Sequence, residues 1–252
     1  MSYRPVQPGI PKTLRSIVQY EEVSPTSLDH SVVYKLWALQ TDTPLERSFD
    51  YLVLPDGCVD IVFDLSGSPK TRGALIMTPH TTSVHLQLGT SFHYGGVRLY
   101  PGAWQFSPID IVGTMKTVPT LTGVDFSGIQ SRLACAPTVS DLWTILEDCG
   151  HQLQRAKIIK RNPTIAMLLD TDITSASNMA AQTGYSIRHI QRVLRRSVGF
   201  TPHDFIKVIR FQRALYQNNP SVYADQSHYI REFKRITGMT PRIFYQTYGN
   251  VA

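Results

Sequence analysis

A cluster of arginines with one glutamine near the end of the chain has the residue types and spacing to bind nucleic acid. Arg188, Gln191, Arg192, Arg195 and Arg196 fall on the faces of a predicted helix that its apolar residues leave free. Arginine can donate two hydrogen bonds to O6 and N7 of guanine, and glutamine can pair with N6 and N7 of adenine. Arginine also neutralises phosphate, which adds affinity but little choice of sequence. These side chains therefore predict contact with a polyanion.

The stretch 184–202 also contains the signals of a turn, a capped helix and a helix end. Ser186 is a good N-cap, because its hydroxyl accepts hydrogen bonds from the free N–H groups of the first turn. Gly184 permits the positive φ of a tight turn, while Gly199 and Thr201-Pro202 end this helix and start the next. The apolar stripe predicted to hold the helix against the protein consists of Ile187, Ile190, Val193 and Leu194.

The alternative is a solvated helix face whose arginines pair with acidic residues nearby. No acidic residue lies between Asp172 and Asp204, so such pairs have no local partner. The pattern also returns, because residues 227–241 align with residues 188–202 at a constant offset of 39. The matched residues are His189 and His228, Arg192 and Arg231, Arg196 and Arg235, Gly199 and Gly238, and Thr201-Pro202 and Thr240-Pro241. A repeated basic helix favours polyanion binding over a solvated face.

Residues from about 162 to 248, roughly a third of the chain, resemble the DNA-binding domain of the AraC/XylS family of transcription regulators. The resemblance is carried by Ala180-x-x-x-Gly184-x-Ser186, His189-Ile190-Gln191-Arg192, Gly199-Phe200-Thr201-Pro202, the linker 210–215 and the run 223–234. It implies two helix-turn-helix units joined by a long helix, with each recognition helix in the major groove. The recognition helices are expected at about 186–197 and 225–237, and the joining helix at 203–217.

The same resemblance assigns roles to the polar residues of both units. The base-reading candidates are Arg188, Gln191 and Arg192 in the first unit and Gln226, Ser227 and Arg231 in the second. The candidates for neutralising phosphates are Arg195, Arg196, Lys234 and Arg235, with Lys207, Arg210 and Arg213 available on the joining helix.

The second unit departs from the family pattern. Only five residues, 218–222, separate Gln217 from Tyr223, which is too short for a scaffold helix, and Pro220 would break one. The unit has therefore lost about one helix, and with it half of the surface that would bury Tyr229, Phe233 and Ile236. The second recognition helix is expected either to dock on the joining helix or to be mobile.

The first hundred residues have an apolar period of two, which is typical of strands. Between residues 58 and 65, Val59, Ile61 and Phe63 alternate with Asp60 and Asp64, which are expected on a solvated face. Short strands separated by Gly- and Pro-rich turns predict an antiparallel β-barrel or sandwich, with a cupin-like form as one candidate. Residues 1–12 are expected to form a loose arm. The candidates for lining a ligand cavity are Tyr34, Trp37, Phe63 and Trp104, although ordinary core packing is the simpler interpretation of each.

Two segments of this region, 52–64 and 96–102, resemble the N-terminal β-domain found in one subgroup of these regulators. That resemblance implies a sensing or dimerisation role. His80, His85 and His93 lack the His-x-His spacing of two ligands on one strand face, so no metal and no other cofactor is predicted. The chain is accordingly not predicted to be an enzyme, and a β-barrel enzyme with a DNA-binding tail ranks lowest.

Composition and charge divide the chain into an acidic and a basic half. Residues 1–154 have 10 basic and 14 acidic residues, a net charge of −4, whereas residues 155–252 have 15 and 5, a net charge of +10. This asymmetry indicates a polyanion partner for the C-terminal half only. The sequence has no apolar run that could cross a bilayer and no export signal, and its three cysteines are scattered, which predicts a cytoplasmic location.

The predicted fold class is α+β with two domains: a β-rich domain at 1–118, a helical linker at 119–160 and an all-α tandem helix-turn-helix domain at 161–252. The linker is expected to cross at 118–120 and to contain a helix capped by Ser140-Asp141, which either mediates dimers or packs on the barrel.

The leading hypothesis is a sequence-specific transcription regulator that binds promoter DNA. RNA polymerase, a small-molecule effector and a homodimer formed through the β-domain are candidate partners, and no membrane is expected. Activation is the working expectation, although the sequence does not distinguish it from repression. The alternative is an antagonist of a full-length regulator that acts through protein contacts and binds DNA poorly because its second unit is short.

Overall fold

The strands of the N-terminal part follow the alternation of apolar residues in the sequence. The computed structural model describes residues 3–66, 73–105, 115–117, 123–219, 222–223 and 225–250. The strands are β1 (Val18–Val23), β2 (Val33–Thr41), β3 (Asp50–Val53), β4 (Val59–Asp64), β5 (Leu75–Met77), β6 (Val84–Gln87), β7 (His93–Leu99) and β8 (Met115–Thr117). The predicted crossing at 118–120 lies outside the described residues.

All of these strands pair antiparallel, in two separate sheets. One sheet has six strands in the order β1-β2-β7-β4-β5-β8, and the other is a two-stranded ribbon of β3 and β6. The β3–β6 ribbon faces one side of the larger sheet, where Tyr51 and Val53 share a cluster with Trp37, Leu39 and Val62. The antiparallel sheet that the sequence predicts is confirmed. Among the described strands it takes the form of two facing sheets rather than one closed barrel.

Helices cover the other side of the six-stranded sheet. They are α1 (Phe126–Ala134) and α2 (Val139–Arg155). Leu142, Leu146 and Cys149 of α2 are buried together with Ile61 and Phe63 of β4, because the apolar period of α2 places them on one face. Of the two roles considered for this helix, packing on the sheet is therefore the one observed.

The C-terminal part is helical, as predicted. Its helices are α3 (Pro163–Asp170), α4 (Ala176–Thr183), α5 (Ile187–Ser197), α6 (Pro202–Tyr216), α7 (Gln226–Thr237) and α8 (Pro241–Tyr248). Each begins after a polar cap, and α3, α6 and α8 have proline in the first turn, where its missing N–H costs nothing. The described residues between α6 and α7 form no α-helix, in keeping with the shortened second unit.

Three local expectations are wrong. The described residues of the N-terminal arm are not loose: Tyr3 is buried and its hydroxyl donates to the carbonyl of Asp56 at 2.7 Å, and Ile10 is also buried. The helix α2 is capped by Thr138, not by Ser140-Asp141, because the Thr138 hydroxyl accepts from the backbone N–H of Asp141 at 3.2 Å. The third concerns Asp60 and Asp64, which are buried instead of solvated, because the β3–β6 ribbon covers their side of β4.

Candidate nucleic-acid interface

The helices α4 and α5 form a tight helix-turn-helix. Gly184 closes α4 with a φ of 71°, and its N–H donates to the carbonyl of Ala180. The Ser186 hydroxyl accepts from the backbone N–H of His189 at 3.2 Å, as the capping prediction requires. These two contacts, both within four residues in sequence, fix the angle at which α5 leaves the turn.

The buried side of α5 is narrower than the sequence predicts. Ile190 and Leu194 are fully buried against Met179 of α4 and Phe200, so the core of the stripe is confirmed. Ile187, however, is 39% exposed, so its assignment to the buried stripe is wrong. It is the first residue of α5, and only Ile190 and Leu194 of this helix are buried.

The five polar candidates of α5, defined above, are all exposed. Within the part of the chain that the structure describes, none of its four arginines forms an ion pair with an acidic residue. One Nη of Arg192 lies 3.1 Å from Nδ1 of His189, whose ring stacks on Tyr185 with centroids 4.4 Å apart. The face therefore presents four positive charges without acidic partners among the described residues, and a contact with the His189 ring orients Arg192.

The helix α7 repeats the local construction of α5. The carboxylate of Asp225 accepts from the backbone N–H of His228 at 2.7 Å, which places its cap 39 residues after Ser186. Gly238 ends α7 with a φ of 76°, as Gly199 follows α5 with a φ of 82°. The repeat that the sequence shows is thus also a repeat of backbone geometry.

The polar candidates of α7 lie on its solvent side. Gln226, Ser227, Arg231, Lys234 and Arg235 are all exposed. Arg235 differs from the others because one of its Nη atoms lies 2.7 Å from a carboxylate oxygen of Glu232. An exposed pair of this kind contributes only about 0–1 kcal/mol, so Arg235 can exchange Glu232 for a phosphate at low cost.

Sequence reasoning missed one residue of this face, Ile230. It is 39% exposed and occupies the position that Gln191 has in α5, at the offset of 39. An exposed apolar side chain on a recognition helix can contact the methyl group of thymine. The offset itself was the signal, because the residue facing the same way as Gln191 follows from it directly.

The joining helix α6 extends the basic surface, with one exception. Lys207 is half-buried, and burial together with the charge of Arg235 lowers its pKa. The guanidinium of Arg210 lies over the ring of Tyr223 at 5.9 Å. Arg213 is turned inward: it donates to the carbonyls of residues 169 and 171 at 3.1 and 2.6 Å and pairs with Asp172 at 3.2 Å. The expectation that Arg213 is available to phosphates is therefore wrong, because α3 and the residues after it occupy its donors.

The inner side of α7 in the shortened second unit is packed against other helices. Tyr229, Phe233 and Ile236 of α7 are buried. Phe233 lies 5.5 Å from Phe211 of α6 and 5.2 Å from Phe244 of α8, measured between ring centroids. Docking on the joining helix, the first of the two outcomes expected from the sequence, is the one observed. The same cluster also contains two residues of the β-rich part, Leu52 and Leu54.

A second candidate site, of a different kind, lies in the N-terminal part. A cavity of about 250 Å³ separates the six-stranded sheet from the β3–β6 ribbon, and among the candidate aromatic residues Trp37 lines it. Phe63 and Trp104 belong instead to the core beneath α1 and α2, and Tyr34 packs on Tyr100 at 5.1 Å.

The polar end of this cavity is a buried ion pair. The Trp37 indole donates to one carboxylate oxygen of Asp60 at 2.7 Å, and Nε of Arg98 donates to the same oxygen at 3.0 Å. Asp56 lies 4.0 Å from Nε of Arg98. Burial raises the pKa of Asp60 to about 6, although the charge of Arg98 works in the opposite direction. The cavity therefore combines apolar walls with one charged, hydrogen-bonded end.

The raised pKa of Asp60 predicts a pH dependence of stability. The folded chain binds this proton more tightly than the unfolded chain does, so its contribution to stability is present at low pH and is lost as pH rises from about 4 to about 6. The measurement is the free energy of unfolding by urea across this range. Asp60→Asn should remove this component of the pH dependence, and an unchanged profile in the variant would contradict the assignment.

Among the described residues, no group of three or more histidine, cysteine or acidic side chains is arranged to hold a metal ion. Within the same part of the chain, no helix is both long and apolar enough to span a membrane.

The local geometry thus gives two capped helices with exposed basic residues, α5 and α7, on a helical C-terminal part. A family model described as a domain of unknown function, DUF6597, matches residues 21–110. No curated protein matches the chain significantly.

Three solved structures of ToxT from Vibrio cholerae are similar to the chain over nearly its whole length. A variant from strain SCE256 has 8% identity, covers 92% of this chain and 97% of its own, and has a TM-score of 0.42. A second ToxT structure has 9% identity, coverage of 92% and 100% and a TM-score of 0.42, and that from strain O395 has 10%, 93% and 99% and 0.41. ToxT is an AraC-family regulator. At this distance the likeness assigns no function to the chain, which has to be argued from its own residues.

Proposed function

We propose that the chain is a sequence-specific DNA-binding transcription regulator of the AraC/XylS type. The observation that supports this most directly is the exposed face of α5, which presents four arginines without acidic partners among the described residues. A surface of this charge on a capped helix is suited to the major groove. The repeat of the same backbone geometry in α7 supplies a second helix of the same kind.

The roles divide by position along each helix. Arg188, Gln191 and Arg192 lie in the first two turns of α5, the part of a recognition helix that contacts base edges. In α7 the base-reading candidates are Gln226, Ser227 and Arg231, and we add Ile230, at the position of Gln191, as a candidate for contact with thymine. Arg195, Arg196, Lys234 and Arg235 lie further along the two helices and are assigned to phosphates, with Lys207 and Arg210 beside them.

The cavity between the sheets suits a sensing role for the N-terminal part. Its walls are largely apolar, and the pair of Asp60 and Arg98 provides both an acceptor and donors at one end. A small molecule with an apolar body and one polar end matches this lining. We place the candidate effector here, and we retain a homodimer through the same part and contact with RNA polymerase as further components of the proposal.

The proposal is tested with a duplex selected from a random pool by repeated rounds of binding to the purified chain. Arg192→Ala and Arg231→Ala are each expected to reduce affinity for the selected duplex by about 1–3 kcal/mol, the contribution of one good base contact. The measurement is a fluorescence-anisotropy titration of labelled duplex.

The comparison of the two variants also decides between the proposal and its alternative. If Arg192→Ala weakens binding while Arg231→Ala leaves it unchanged, the second unit does not read DNA. If the wild-type chain selects no duplex but binds a full-length relative, it acts as an antagonist through protein contacts. Glu232→Gln is the control for these two variants. It changes a charge on α7, beside Arg235, but removes none of the proposed base contacts.

A further inference from the structure

A short piece of the β-rich part shares a buried cluster with the second recognition helix, in the unit that has no scaffold helix of its own. Leu52 in β3 and Leu54 directly after it are both buried in the cluster that contains Phe233 and Ile236 of α7. The strand alternation explains this placement: Tyr51 and Val53 face the cavity, so Leu52 and Leu54 face the opposite way, toward the cluster formed with α6, α7 and α8.

A main-chain hydrogen bond also joins the β-rich part to α7. The N–H of Ser83, in the loop before β6, donates to the carbonyl of Ile236 at 2.8 Å. Ile236 is in the last turn of α7, where carbonyl groups have no partner within the helix. The β-rich part is therefore joined to α7 in two ways: Leu52 and Leu54 share its buried cluster, and an amide from the loop before β6 bonds to its last turn.

The segment that carries Leu54 is itself held firmly in place. The Gln7 side chain accepts from the N–H of Leu54 at 2.7 Å and donates to its carbonyl at 2.9 Å. The buried side chain of Gln212 in α6 donates to the carbonyl of Pro55 at 2.9 Å and accepts from the N–H of Val6 at 2.8 Å. Amide side chains thus tie this segment to the N-terminal arm on one side and to the joining helix on the other.

We propose that Leu52, Leu54 and Ser83 replace the missing scaffold helix and are positioning residues for α7. In an ordinary helix-turn-helix unit, the scaffold helix buries the inner side of the recognition helix and fixes its angle to the groove. Here the β3–β6 ribbon supplies that surface, so the N-terminal part is a structural component of the second DNA-reading unit. The effect on DNA reading rests on the proposed DNA-binding function. The positioning of α7 by these residues can be measured without DNA.

The test compares Leu54→Ala with Leu39→Ala in the full chain. Leu39 is a matched control, because it is equally buried in the β-rich part but packs in the cluster on the cavity side of the ribbon. In Leu54→Ala, hydrogen exchange of the amides of α7 should accelerate by at least about 10-fold relative to those of α5, whereas Leu39→Ala should leave the ratio unchanged. If Leu54→Ala does not fold, Leu54→Val carries the same comparison with a smaller deletion.

A footprint on the selected duplex supplies the functional readout. Leu54→Ala should lose protection of the half-site that Arg231→Ala loses and retain the half-site that depends on Arg192. Equal exchange of α7 amides in the two leucine variants would overturn the positioning role, whatever the DNA result. If the exchange of α7 accelerates as expected but the wild type protects no DNA, the positioning stands and the proposed function fails.

Discussion

Asp60→Ala is expected to lower the free energy of unfolding at neutral pH by about 3–5 kcal/mol, the cost of breaking a buried ion pair from one side. The variant leaves Arg98 with its charge, while its side chain is only 5% exposed to solvent. It also removes the acceptor of the Trp37 indole N–H. The measurement is equilibrium unfolding in urea, followed by the fluorescence of the tryptophans.

Asp172→Ala provides the control, because it removes the same side chain from the same kind of pair at the surface. Asp172 lies 3.2 Å from Arg213, but its side chain is 92% exposed, so the expected loss is about 0–1 kcal/mol. Equal losses in the two variants would contradict the description of Asp60 and Arg98 as a buried pair. A loss below about 1 kcal/mol for Asp60→Ala would contradict it equally.

Replacement of Arg188, Arg192 and Arg195 by alanine together should reduce affinity for the selected duplex by at least about 100-fold, or about 3 kcal/mol. The three side chains lie on one side of α5, at helical positions i, i+4 and i+7, and all are exposed. The fold should be preserved, because Ile190 and Leu194 hold the buried side of the helix. The measurement is the same anisotropy titration, with thermal unfolding to verify the fold.

This experiment needs a control that separates the loss of net charge from the loss of arginines at α5. The matched control replaces Arg47, Arg132 and Arg155, three exposed arginines of the N-terminal part and α1–α2, and changes the net charge by the same amount. The control should keep its affinity within about threefold, because distant exposed charges are largely screened at physiological salt. If the two triple variants lose the same affinity, α5 is not the DNA-reading surface.

The helix-turn-helix units could be predicted closely from the sequence because their determinants are local. The cap at Ser186 bonds to a residue three positions away, and the turn at Gly184 depends on the φ of a single residue. Helix starts marked by Asn162, Ser175 and Thr201 follow the same rule. Because these interactions join residues a few positions apart, the sequence pattern predicts both the helices and their exposed faces.

The errors concern contacts between distant parts of the chain. Alternation in β4 predicts that Asp60 and Ile61 point to opposite faces of the sheet. It does not predict whether solvent or a second sheet covers the face with the aspartate. The covering ribbon comes from β3 and β6, and its register is not visible in the residues of β4. Similarly, the Pro- and Gly-rich composition of residues 1–12 hides the buried anchor at Tyr3, whose partner is 53 residues away.

The burial of Leu52 and Leu54 in one cluster with residues of α7 is another contact between distant parts of the chain. The sequence shows that a scaffold helix is missing, and it leaves two outcomes for the buried side of α7. Only the three-dimensional arrangement shows that residues of the β-rich part join the same cluster as Phe233. Helix and strand patterns repeat over a few residues, so they could not indicate that residues 52 and 54 join a cluster with residue 233.

The most direct test is the salt dependence of duplex binding by the purified wild-type chain. The four phosphate contacts proposed for Arg195, Arg196, Lys234 and Arg235 alone predict a slope of at least about −3.6 in log affinity against log salt, a fall of at least about 150-fold between about 50 and 200 mM salt. Tight binding at the lower concentration with this slope is the expected result. Failure to bind any duplex at the lower concentration, or an affinity independent of salt, would contradict a basic helix seated in the groove.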